Sequence, residues 1–143
     1  MSPIIRYFTI ASLIYLIIGA GLGLIMAVYP ASIGYLLLAH VHFLLLGFIA
    51  MMIYSVSYHV LPRFSGFKLY SEPLMAVQFY LANIGLIGMT LTWIFFKDEV
   101  HGFYPILLLG VFAFMEFVGI CVFVFNHIMT LSGKGGIAEN EII

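Results

Sequence analysis

Three histidines lie within one apolar stretch, Tyr35 to Phe64, which reads YLLLAHVHFLLLGFIAMMIYSVSYHVLPRF. His40 and His42 stand near its start and His59 near its end. Lipid offers an imidazole no partner, so at membrane depth the ring needs a hydrogen-bond partner, a metal or water. A neutral imidazole presents one nitrogen lone pair, which binds haem iron or copper. His42 and His40 are therefore the first candidates for metal or haem ligation. His59, His101 and His127 lie nearer the ends of apolar segments, where a histidine ordinarily serves as a polar anchor. They are the candidates for completing a cofactor site.

Spacing limits which of them can act together. Successive helical residues turn by about 100°, so His40 and His42 point about 200° apart and cannot share one metal on a regular helix. His59 lies about 25 Å along the axis from His42, too far for one haem to use both. Two imidazoles from different helices remain. A b-type haem in a bundle core is held this way, and the expected pairs are His40 or His42 with His101, and His59 with His127.

Other residues bear on the same chemistry. Glu116 falls near the middle of an apolar run and shares a helical face with His127. An ionised carboxylate is costly at that depth, so it is expected either neutral or paired with a histidine or bound ion. It is the candidate proton relay, against a structural role hydrogen bonding to Asn83, Gln78 or a backbone carbonyl. Met51 and Met52 read as core filler rather than thioether ligands. Tyr54 and Tyr58 share the His40 face at helical spacing, suited to stacking on a ring system or to plain packing. The one cysteine, Cys121, reads as a small core residue.

The elements that must position these residues are membrane spans. Of 143 residues, 64% are hydrophobic and 8% charged, and the mean hydropathy is +1.20. Soluble domains carry about a quarter charged residues. A net charge of -1 gives no electrostatic basis for binding nucleic acid. Four segments approach the roughly 20 residues that cross a bilayer: about 5–28, 35–62, 74–96 and 103–131. Tyr29-Pro30 ends the first, and Pro62-Arg63 is expected to stop the second. Ser71-Glu72-Pro73 reads as the capped start of the third. Ser12, Gly19 and Gly23 give span one a small face suited to close helix contact. The Gly-rich tail, Ser132 to Ile143, reads as disordered or partner-bound. The whole chain is one domain, an all-α four-helix transmembrane bundle.

Three segments resemble a known helix. Ala39-His40-Val41-His42, Leu46-Gly47-Phe48 and Tyr58-His59-Val60-Leu61-Pro62-Arg63 resemble the second membrane helix of haem-copper oxidase and nitric oxide reductase catalytic subunits. The likeness is closest to small cbb-type subunit I-like proteins and to the twelve-span haem- and copper-associated family of the nitric oxide response. In the large subunits that helix gives one histidine to the low-spin haem b, and His42 matches that position, with His40 second. The likeness covers about thirty residues strongly and the four-span outline loosely. His42-Phe43-Leu44 replaces the His-Thr-Asn of the reductases, and the large subunits take their remaining ligands from helices beyond a fourth span. The resemblance therefore implies a haem-binding half-site, completed by His101, His127, another protomer or a partner subunit.

Together these features give a haem b-binding integral membrane protein of the prokaryotic cytoplasmic membrane, with copper as the second metal to consider. Electron transfer within a respiratory or nitric-oxide-related complex is the expected role, as a homo-oligomer or with a partner membrane subunit, and with a quinol or cytochrome as redox partner. Two alternatives stay open: an accessory or assembly subunit handling haem or copper, and a haem-based gas sensor. Any catalysis would be that of an oxidoreductase. Arg6, Arg63, Lys68 and Lys134 fall on one side and Lys97 on the other, so both termini are expected in the cytoplasm. Reporter fusions should place the 97–102 loop outside the cell; a loop found inside would overturn this orientation.

Overall fold

Long runs of Leu, Ile, Val and Phe interrupted by few breakers give helix, because in lipid every backbone polar group must be satisfied within its own segment. A computed structural model of the chain describes residues 2–99 and 102–137. It contains four long helices: α1 (Pro3–Val28), α2 (Pro30–Ser65), α3 (Glu72–Phe96) and α4 (Phe103–Leu131). All four are long and apolar enough to cross a membrane. Their outward faces carry large apolar side chains, among them Ile17, Leu24, Phe95 and Phe114. The chain is an all-α multi-pass membrane bundle in contact with lipid. Arg6, Arg63, Lys68 and Lys134 share one end of it, here termed the basic end, and Lys97 lies at the opposite end.

α2 is not uniform. It opens with a 3-10 turn (Pro30–Ser32), runs as α-helix over Ile33–His42, widens to a π-helix over Phe43–Ala50, and resumes as α-helix over Met51–Ser65. The wider turn begins at the residue after His42 and shifts the phase between the two ends of the helix. Pro62 does not stop α2 as expected. The helix continues to Ser65 and ends at Gly66, whose φ of 71° is the left-handed geometry glycine adopts freely. Pro62 removes only one N–H from the ladder, and one further turn carries the chain to that exit.

The helices form two antiparallel hairpins. In the first, the small face of α1 looks at α2 of the same chain: a side chain at Gly19 would meet Leu44, and one at Gly23 would meet the His40 ring. In reverse, Gly47 of α2 makes room for the Tyr15 ring. The second hairpin is closer still. A Cβ at Gly85 would stand 2.8 Å from the Glu116 nitrogen and 2.9 Å from the Phe112 oxygen. Gly88 faces the Phe112 ring, and Gly119 faces Ala82 and Leu81.

Between the hairpins lies an aromatic core. Phe8 stands edge-on to Tyr54 and Phe79 and stacked against Tyr58. Tyr54 and Tyr58 thus pack on Phe8 and Phe123. Cys121, expected in the core, is exposed on the lipid side of α4. The positions of α4 that face α3 are taken by Glu116, Gly119 and Asn126, which are buried.

At the basic end, Ser71 caps α3 by accepting from the Leu74 N–H at 3.3 Å. Asn126 then clamps that cap to α4, its Oδ1 accepting from the Ser71 N–H at 3.1 Å and its Nδ2 donating to the Ser71 carbonyl at 2.8 Å. The first part of the tail is ordered rather than free. Lys68 N–H donates to the Gly136 carbonyl at 2.9 Å, and Phe67 bridges to Ile137.

The Gly85 contact is with main chain, which cannot yield. Gly85→Val is expected to cost about 2 kcal/mol or more by overpacking. Gly21, with nothing within 4 Å of its added Cβ, should accept valine with little loss. Denaturation in detergent checks the pair; equal stability of both variants would contradict the close α3–α4 contact.

Candidate functional site

The state of each histidine follows from what its ring nitrogen meets. His40 Nδ1 lies 2.7 Å from the Gly19 carbonyl of α1, across the small face that lets the ring approach. His42 Nδ1 lies 2.8 Å from the Leu38 carbonyl one turn back on its own helix. His127 Nδ1 lies 3.0 Å from the Phe123 carbonyl, again one turn back. A carbonyl can only accept, so in the neutral form of each of these imidazoles Nδ1 carries the proton and Nε2 keeps its lone pair. That is the tautomer a metal-ligating histidine uses, with its second nitrogen oriented by an outer acceptor.

His59 is in the other state. Arg63 Nη1 lies 2.8 Å from His59 Nδ1 and 2.6 Å from the His59 carbonyl. A guanidinium can only donate, so Nδ1 accepts and the proton sits on Nε2. With the neighbouring arginine one turn on, His59 has no lone pair to offer a metal.

The three rings with a free Nε2 face different surroundings. The His40 ring is wedged against α1, within van der Waals range of the space above Gly23. The His42 ring opens into a groove of about 390 Å³ between α2 and α3, lined by Ile33, Gly34, Leu37, Leu38, Val41 and Trp93. The groove is apolar, and its one further polar atom, Trp93 Nε1, is buried without a hydrogen-bond partner. His127 is buried, its ring centroid 4.5 Å from that of Tyr58 and 4.1 Å from that of Phe123. Its Nε2 is enclosed without a partner; the Ser57 carbonyl is nearby but outside hydrogen-bond geometry.

The expected pairing of His59 with His127 is not formed. Tyr58 takes the position facing His127, and His59, one residue on, is turned about 100° away. It lines instead an open cavity of about 330 Å³ at the basic end with Tyr58, Arg63, Lys68 and Glu72. The expected partner of His40 or His42, His101, lies outside the described residues. Among the described residues no three or more His, Cys, Asp or Glu side chains converge to hold a metal ion. A porphyrin asks less of the protein, since it supplies four nitrogens itself and needs axial ligands only. His42 fits one such position: the Leu38 carbonyl holds its Nδ1, which leaves Nε2 as the ring nitrogen available, and the residue lines an apolar groove. The groove is open on one side, so this chain would wall a flat macrocycle on one face only.

Glu116 also departs from expectation. Both oxygens of this buried carboxyl lack a hydrogen-bond partner. The amides expected to serve it do not reach it: Asn83 Oδ1 accepts from the Tyr15 hydroxyl at 2.7 Å, Gln78 Oε1 accepts from the Tyr58 hydroxyl at 2.6 Å, and Gln78 Nε2 is itself without a partner. Asn83 Nδ2 donates to the Phe79 carbonyl at 2.7 Å. Met51 is fully buried against this network, as filler. Tyr15 and Trp93 were not singled out by spacing; the signal for Tyr15 is that it falls between Ser12 and Gly19, on the side of α1 that the small residues mark.

Comparison of the chain with family models, with curated proteins and with solved structures finds no match.

Proposed function

We propose that the chain binds haem b through His42 and takes part in electron transfer within a respiratory or nitric-oxide-related membrane complex. The observation that carries this reading is the state of His42. Its Nδ1–H is held by the Leu38 carbonyl, its Nε2 lone pair is free, and the ring opens into the apolar groove beside Trp93. The resemblance of residues 39–63 to a haem-bearing helix supports the same residue. Bound haem would supply a one-electron couple. The protein's part is to fix the ring, keep water from the iron-binding nitrogen, and set the local polarity, which tunes potential.

The open side of the groove calls for a second copy of the chain or a partner subunit. A quinol or a cytochrome is the proposed redox partner, and the prokaryotic cytoplasmic membrane, with the basic end inward, the proposed setting. The single available ligand also favours a second reading. With one axial position unfilled, the same site would serve a sensor of nitric oxide or oxygen.

His40 serves this reading as a structural residue. Its ring fills the space that Gly19 and Gly23 leave, and its proton satisfies a main-chain carbonyl of α1. His42→Ala should therefore lose most of its haem by pyridine haemochrome assay, while His40→Ala keeps haem and loses stability, by about 1–2 kcal/mol for the hydrogen bond alone. A bis-histidine spectrum of the wild type supports electron transfer, and a five-coordinate spectrum supports the sensor. Full haem occupancy with an unaltered spectrum in His42→Ala would overturn His42 as ligand.

A further inference from the structure

Of the orphaned buried side-chain atoms among the described residues, Trp93 Nε1 lies beside the His42 groove and the others fall in the half toward the basic end. Gln78 Nε2, both oxygens of Glu116 and His127 Nε2 are buried without partners. All belong to the part of the bundle between the basic end and the middle of α4. Their order in depth can be read from neighbouring contacts. His127 lies deepest toward the basic end, beside the Tyr58 ring. Gln78 comes next, its main chain 3.7 Å from the space above Gly119. Glu116, one turn beyond Gly119, lies opposite Gly85 near mid-depth.

The basic-end cavity reaches this row. Tyr58 lines the cavity, together with His59, Arg63 and Glu72 at its polar mouth and Ile5 and Met75 on its apolar side. The same tyrosine donates its hydroxyl proton to Gln78 Oε1, inside the bundle. One residue thus belongs both to the water-accessible cavity and to the buried polar row. Gly119 lies between Gln78 and Glu116 on α4, where an added Cβ would stand in ordinary contact with Ala82, Leu81 and the Gln78 carbonyl. Buried polar atoms that lack protein partners are met by ordered water where single molecules fit, and in a membrane such rows mark proton routes.

We propose that the chain contains a one-sided proton inlet: from the basic-end cavity, past Tyr58 and Gln78, by bridging water to the Glu116 carboxyl. Gln78 Nε2–H donates to a bridging water and so turns that water's own hydrogens toward Glu116. One proton taken from cavity water neutralises the carboxylate, and the same proton returns by the same route, so nothing else is consumed. The groups facing Glu116 from other helices are Tyr15 of α1 and Tyr54 of α2; α3 presents Gly85, with no titratable group. Beyond Glu116 the hydroxyls of Thr90 and Thr92 donate to α3's own carbonyls, and among the described residues no orphaned carboxyl or imidazole continues the row. The inlet ends at mid-depth and involves no cofactor.

Infrared spectroscopy of the full chain in lipid tests this. The carboxylic C=O band lost in Glu116→Gln identifies Glu116, and its shift after transfer to D2O times proton exchange at that group. The wild-type band should be present and should shift before the membrane-embedded helix amides exchange. Tyr58→Phe, which keeps the ring packing, and Gln78→Leu should each slow the shift about tenfold, the effect of one lost hydrogen bond. Thr90→Val, beyond Glu116, should leave it unchanged. An absent wild-type band, exchange no faster than the amides, or equal slowing in Thr90→Val would each overturn the inlet. None of these readings depends on haem, so the result stands apart from the fate of the His42 site.

Discussion

Inside hydrocarbon a ring N–H has no water to turn to, and an imidazole takes whatever acceptor the backbone presents. For His40, His42 and His127 that acceptor is a main-chain carbonyl: Gly19, Leu38 and Phe123. The bond fixes the tautomer, and the tautomer decides which nitrogen is left for chemistry. For His40 the same bond also requires two helices to touch, which is why Gly19 and Gly23 stand where they do on α1. His59 shows the converse. A donor in place of an acceptor, the Arg63 guanidinium, reverses the proton and removes the lone pair.

The two ends of the bundle have different characters as a result. Toward the opposite end, around His42, the surroundings are apolar and one imidazole nitrogen is offered to the groove. Toward the basic end, tyrosines, amides and a carboxyl run inward from a polar cavity. The α3–α4 contact holds the two together, because Gly85 and Gly119 bring the Glu116 segment against α3 at main-chain distance. A looser hairpin would admit lipid or bulk water to Glu116.

Much of the fold was legible in the sequence because lipid leaves few choices. Apolar runs of spanning length must be helices, and Tyr29-Pro30 and Ser71-Glu72-Pro73 mark true boundaries. The small face of α1 was visible as well, though not the partner it touches. The π-helical stretch was not, since Phe43–Ala50 has no breaker and its hydrogen-bond register is a tertiary outcome. Pro62 misled because proline weakens a helix without always ending it. The His59–His127 pairing required two faces to coincide across helices, and a rotation of one residue put Tyr58 there instead. Glu116 was legible as a buried acid, but that Asn83 turns its amide N–H to the Phe79 carbonyl and that Gln78's amide N–H finds no partner are tertiary outcomes.

The tautomer of each histidine is the most direct test, because the assignment of His42 as the residue that offers a lone pair rests on it. Nitrogen-15 NMR of the chain in lipid, with histidine labelled and each ring assigned by substitution, reports which nitrogen bears the proton. The expected result is Nδ1–H for His40, His42 and His127, and Nε2–H for His59. Nε2–H at His42 would contradict it, because the nitrogen facing the groove would then be a donor with no electron pair for iron.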